Sequence, residues 1–355
     1  MKDNACIITL RKIKTKPIII TVLCFCIMAA LIFASKQSID GAVHGLNLCA
    51  DILIPSLFPF CVLSTFIIRS GVSNYAGKLL EKTGRFLFGA NGSTTVVILL
   101  SMLAGYPVGA KLIHLLYEKK QITKMQAQNL ICCCINPGPA FIVLAVGEGI
   151  MGSKTIGYIL FAANCICCII MNIIFRSKDG IIPSSTQNPQ GYTDAFVSAV
   201  SDASASIIGI CAWVVLFCTL SGAATALLPS VANNIISILC EVTTAVISFR
   251  ENVFLVAFCL GWCGFSVHAQ VISVSGKIMP GYFKFAAMRI FFGLLLAGVT
   301  ELIIKIFAIT LPVSSIANTP VYSGTAASLP TAIALLCTCI IFLLSCSKKH
   351  SWKLG

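Results

Sequence analysis

The 355-residue chain is 57% hydrophobic and only 10% Asp, Glu, Lys and Arg, against roughly a quarter charged residues in a soluble globular chain. So little charge does not cover a water-facing surface, and several apolar runs reach the roughly 18 to 20 residues that cross a bilayer. The net charge of +13 comes from 25 Lys and Arg placed mostly in short segments between apolar blocks, which is the positive-inside pattern rather than the basic face of a nucleic-acid binder.

The 19 cysteines lie mostly inside apolar blocks, where Cys acts as a small hydrophobe. Cys165 and Cys168 make a C-x-x-C spacing without a second pair or a His pair, so neither a metal site nor a disulfide framework is expected. No cofactor is expected either.

In chain order, Arg11, Lys12, Lys14 and Lys16 precede an uncharged run from Pro17 to Ser35. The run is longer than a signal-peptide core and reads as an uncleaved first span with its N-terminus inside. Further spans are expected at about 44 to 68, 129 to 150, 154 to 176, 206 to 228, 283 to 309 and 329 to 346. The apolar stretches 92 to 117 and 252 to 275 are interrupted by Gly or Pro. Ahead of the first of these, Arg69 to Ala90 mixes Lys78, Lys82 and Arg85 with Leu79, Leu80, Phe86 and Phe88, the composition of an interfacial helix.

The expected fold is an all-α polytopic transmembrane bundle of about seven or eight spans. It comprises an anchor span (1–40), a first repeat (41–176), a polar linker (177–193), a second repeat (194–310), and a C-terminal span with a basic tail (311–355). Seven crossings would leave Lys348, Lys349 and Lys353 outside, against the positive-inside rule; an added span at 230 to 249 would bring them inside.

Two repeats are read from one register. Gly105-Tyr106-Pro107-Val108-Gly109-Ala110-Lys111 aligns without gaps on Gly264-Phe265-Ser266-Val267-His268-Ala269-Gln270. The same offset of 159 residues brings Leu57-Phe58 onto Leu216-Phe217 and Ala127 onto Ala286. Inverted repeats around a midplane site are characteristic of secondary transporters.

The chemistry-bearing residues cluster at these places. Gly105, Pro107 and Gly109 weaken a continuous helix, and freed backbone groups in hydrocarbon are tolerated only inside protein or along a wet cavity. The stretch is therefore expected to be non-helical, as is Gly264 to His268, with the two meeting in the interior. A close-packing Gly105-x-x-x-Gly109 face is the plainer alternative. Lys111 follows the first break, either lining a cavity that takes an anion or snorkelling toward the loop of Lys119, Lys120 and Lys124. Asn136 and Pro137 mark another break, lining a pathway or forming a loop at the membrane edge. Asn47, Asp51, Pro55, Ser56 and Pro59 fall largely on one helical face, expected to look into the bundle. Glu148 and Glu301 are candidates for ion coupling or for pairing with a Lys.

The candidate substrate-binding set is Ser56, Gly105, Pro107, Gly109, Lys111, Asn136, Pro137, Ser266, His268 and Gln270. His44, His114, His268 and His350 stand isolated, and no nucleophile with a base or phosphate loop appears, so no enzyme is expected. The expected partners are a small-molecule solute, membrane lipid and a further copy of the chain, with no nucleic acid.

Pro55-Ser56-Leu57-Phe58-Pro59-Phe60, Ala104 to Lys111, and Asn136-Pro137 with Phe141-Ile142 resemble the YlbJ-type sporulation integral membrane proteins of the nucleoside-recognition, or Gate-domain, family. The resemblance covers about residues 40 to 310, and Gln270 and Ser266 depart from Lys111 and Pro107 in the second half. It implies Gate-like inverted repeats, a role in endospore formation at a membrane around the forespore, and movement of a small anionic solute such as dipicolinate. A nucleoside carrier or a non-transporting membrane scaffold are the other functions it admits.

Overall fold

The computed structural model describes residues 15–176, 191–227, 235–236 and 238–307. Its elements are α1 (Thr15–Phe33), α2 (Ser35–Leu48), a π-helical turn (Cys49–Leu53), α3 (Ile54–Arg69), α4 (Val72–Leu87), α5 (Gly92–Ala104), α6 (Tyr106–Glu118) and α7 (Lys124–Cys133). A π-helical segment (Ala140–Ile150), α8 (Lys154–Ile174) and α9 (Tyr192–Leu227) follow. The chain continues through α10 (Val242–Ser248), α11 (Val253–Trp262), α12 (Gly264–Ser275) and α13 (Tyr282–Ile306). Among the described residues there is no strand. Five helices among the described residues, or six if one bent pair is a single span, are long and apolar enough to cross a membrane. The chain is an all-α, multi-pass integral membrane protein.

The segment from α2 to α3 runs along α9, and α11 packs on α13, which in turn packs on α8. In the interior, α6 lies against α12. The π-helical turn at Cys49–Leu53 has a local cause, because Pro55 lacks an N–H and its ring collides with the carbonyl four residues earlier, at Asp51.

Helix α4 is amphipathic. It leaves Tyr75, Leu79 and Phe86 exposed and buries Ser73, Gly77 and Gly84, then turns through 87° into α5. The turn is tied by Glu81, whose carboxylate accepts from Gly92 N at 2.6 Å and from Arg85 Nε at 2.7 Å. Asn91 then caps α5 by accepting from Thr94 N at 2.8 Å.

Several expectations are corrected. Helix resumes at Tyr106, so within Gly105–Gly109 only Gly105 is non-helical, and Gly264–His268 is helical throughout, its break falling one residue earlier at Cys263. Pro107 sits in the first turn of α6, where its missing N–H breaks no bond. The span expected from 206 begins at Tyr192, because the Ser- and Asp-rich stretch before it is helical and its Asp202 is paired. Of the linker 177–193, residues 177–190 lie outside the described residues, as do the C-terminal span 329–346 and the basic tail.

Candidate functional site

Three interruptions of the helices meet in the interior. Gly105 has φ 91° and ψ 173°, a conformation open essentially to glycine alone. Cys263 and Gly264, at the second break, have φ 65° and 73°. Residues 135–138, the Asn136-Pro137 interruption, are non-helical and buried, so this break lies inside the protein. The first and second breaks are joined by the Tyr106 hydroxyl, which donates to the Leu260 carbonyl at 2.8 Å.

A small cavity of about 40 Å³ lies among them, lined by Gly105, Tyr106, Pro107, Pro137, Gly138, Glu241, Thr243, Val267 and Gln270 with apolar residues of α3 and α9. Roughly 10 to 15 Å³ accommodates one water, so in this conformation the inner cavity is too small for a solute. Thr243 also lines a second, larger cavity of about 560 Å³, within the size range of ligand pockets. Its polar wall carries His44, Asn47, Asp51, Ser56 and Glu148. Both flanks of this vestibule are π-helical, at Cys49–Leu53 and Ala140–Ile150, a departure from α-helix that often marks functional sites. Of the face read from Asn47, Asp51, Pro55, Ser56 and Pro59, the first four line the vestibule, whereas Pro59 is exposed and lies outside it.

Of the candidate residues, Gly105, Pro107, Pro137 and Gln270 line the inner cavity, and Ser56 lines the vestibule while donating to Ile52 O at 2.5 Å. Ser266 is buried and accepts from Gln270 Nε2 at 3.3 Å. Asn136 is buried, its Nδ2 donating to Cys133 O at 3.4 Å and its Oδ1 unpartnered. Gly109 lies where a Cβ would stand 2.9 Å from Cys134 O and from Ser101 Cβ, so close packing explains this glycine. His268 is buried, 3.1 Å from Trp262 O and 3.4 Å from the Tyr282 hydroxyl.

Lys111 neither snorkels nor lines either cavity. Its Nζ donates to Asp202 O at 2.5 Å and to Ser206 Oγ at 2.7 Å. Asp202 in turn holds Arg69 through Nε at 2.8 Å and Nη2 at 2.5 Å, so α3, α6 and α9 are stapled at one point. Nearby, Lys119 donates to Ile68 O at 2.7 Å; burial, and secondarily the Arg69 guanidinium, push its ammonium pKa down. Glu148 pairs with Lys154 at 2.9 Å and Glu301 with Lys305 at 3.6 Å.

Sequence reasoning passes over two buried charges here. Glu241, 2% exposed, caps α10 by accepting from Thr244 N at 2.7 Å and reaches the inner cavity. Arg289 is fully buried in α13. A lone Arg inside an apolar run is a signal in its own right.

The chain is similar to the sporulation integral membrane protein YlbJ of Bacillus subtilis strain 168. Identity is 30% over 149 residues, a stretch that makes up 42% of this chain and 36% of the relative. The match thus spans little more than a third of that protein's length. No family model matches the chain, and no solved structure matches it significantly.

Proposed function

We propose that the chain is a transporter that carries a small anionic solute, of which dipicolinate is an example, across a membrane during endospore formation. The observation supporting this most directly is the meeting of two broken helices, α5–α6 and α11–α12, at a small inner cavity beside a much larger vestibule. Interior helix starts offer unpaired backbone donors and partial positive charge, which suit a carboxylate. Sporulation as the setting comes from the printed name of the relative.

In this reading the solute enters the vestibule and reaches the inner cavity only after the break regions move. The tight inner cavity and roomy vestibule correspond to one half of an alternating-access cycle. A second reading, a neutral solute such as a nucleoside, is favoured by one feature: neither lining includes a Lys or Arg, and Gln270, Thr243 and Ser56 supply neutral donors and acceptors.

Uptake into vesicles containing the purified protein separates these readings. Saturable uptake of labelled dipicolinate that exceeds nucleoside uptake supports the anion carrier. Uptake of nucleoside alone supports the second reading. Absence of flux for both, with folded protein in the vesicles, points to a membrane scaffold.

A further inference from the structure

Arg289 has no solvent exposure, and none of the ion pairs among the described residues includes it. Its Nη2 donates to the carbonyl of Gly261 in the last turn of α11, and its guanidinium carbon lies 4.5 Å from the centre of the Phe292 ring. A cation is well placed among the converging carbonyls of a helix C-terminus, so one donor is accounted for. Nε and Nη1 have no hydrogen-bond partner in the protein, and the buried indole Nε1 of Trp262 has none. Buried donors are as a rule bonded, and a buried charge is retained when something pairs with it.

All three unused donors belong to residues around the α11–α12 break. Trp262 ends α11, Cys263 holds a left-handed backbone unusual for a residue other than glycine, and α12 begins at Gly264. The Arg289 guanidinium also lies within weak hydrogen-bonding reach of the Cys263 sulfur. Helices α11 and α13 cross where Gly261 meets Gly293, which sets Arg289, one turn earlier on α13, beside the break. Helix α12 has 12 residues, and its first-turn N–H groups and dipole add to the donors assembled there.

We infer that the α11–α12 break is a binding site for a small carboxylate, with Arg289 supplying charged N–H donors and the first turn of α12 supplying backbone donors. A planar, delocalised carboxylate matches a planar guanidinium better than a spherical halide does. The inference rests on the anion-carrier reading and names the charge that Lys111, engaged with α9, does not supply.

The test uses purified full-length protein in detergent, with benzoate and oxalate as probes and chloride at equal ionic strength as control. Thermal unfolding reads apparent affinity, and mass spectrometry reads alkylation of Cys263 peptide by peptide. Either carboxylate, and not chloride, is expected to raise the wild-type unfolding midpoint and to slow alkylation of Cys263. Arg289→Gln is expected to lose roughly tenfold to a hundredfold in affinity, as for one charge-assisted contact. Arg289→Lys should lose less, and Lys111→Gln should bind nearly as wild type.

Wild-type affinity in a folded Arg289→Gln overturns this site while leaving the anion-carrier reading intact. A wild type that binds neither probe, yet takes up nucleoside, overturns both. Should Arg289→Gln not fold, the wild-type measurement decides: Cys263 alkylation unchanged at a saturating concentration of a bound probe refutes the site.

Discussion

Gly138 turns its bare Cα face onto Gly105: a Cβ built on Gly138 would stand 3.4 Å from the Gly105 nitrogen and 3.6 Å from its Cα. The two interruptions therefore lie in van der Waals contact, a spacing at which an added methyl meets the facing Gly105 backbone without overlap. The carbonyl of Leu103 would be closer still, at 2.9 Å.

The first prediction concerns this contact. Gly105→Ala should destabilise the protein by about 1 to 3 kcal/mol, since its φ and ψ are those of glycine and the new Cβ would meet Leu57 at 2.9 Å. Gly209→Ala is the control. Gly209 lies within α9 with nothing inside 4 Å of the added carbon, and Ala there should stabilise by up to about 1 kcal/mol. Unfolding of the two variants in detergent should move in opposite directions; parallel behaviour would show that Gly105 is not strained.

Pro107 and Gly109 are expected to part company when each is replaced by Leu. Pro107 lines the inner cavity in the first turn of α6, where Leu continues the helix, so folded protein should persist while uptake falls. At Gly109 the added carbon would meet Cys134 O and Ser101 Cβ at 2.9 Å, so both folded protein and uptake should fall. Size-exclusion profiles of the detergent-solubilised protein, set beside vesicle uptake, make the comparison.

The breaks are legible in the sequence because Gly and Pro act through the backbone, and their effect does not depend on distant partners. Gly105 and the Asn136-Pro137 interruption break the chain where they stand. The extent of the break at Gly105 is not legible, because a Pro in a first turn favours helix and a Pro in an interior destroys it, and only the helix start tells which applies. The destination of Lys111 is hidden for a different reason. Its partner Asp202 lies 91 residues away, in a Ser- and Asp-rich stretch whose composition resembles a polar lead-in and not a helix that packs on α3. Arg289 is the opposite case, since the one arginine of the run 283 to 309, flanked by apolar residues, needs no structure to be noticed.

The staple at Asp202 gives a third prediction. Arg69 and Asp202 are about a quarter to a third exposed, between the surface pairs worth about 0 to 1 kcal/mol and the buried ones whose disruption costs about 3 to 5. A double-mutant cycle with Arg69→Gln and Asp202→Asn should return a coupling of about 1 to 2 kcal/mol. Lys111→Gln should cost about 1.5 to 3 kcal/mol of stability through its lost bonds to Asp202 O and Ser206 Oγ. Lys119→Gln should also destabilise, because Lys119 is tied to Ile68 O. A Lys119 variant as stable as wild type would return that residue to the role of a surface charge.

The last prediction turns on Glu241, whose carboxylate both caps α10 and lines the inner cavity. Glu241→Ala removes the acceptor for Thr244 N and should cost about 0.5 to 2 kcal/mol, as lost caps do. Glu241→Gln retains an acceptor oxygen and is expected to fold, so it isolates the effect of the charge. A carboxylate lining the inner cavity opposes an anion there. At an effective dielectric of about 20 that repulsion is on the order of 1 kcal/mol or more at several ångströms. Removing it should raise dipicolinate uptake severalfold and leave nucleoside uptake unchanged, and Asp51→Asn in the wider vestibule should do less. If Glu241→Gln folds but transports less of every solute, the carboxylate serves the transport cycle itself, as a proton or cation site would. The anion would then need a route that avoids this side chain.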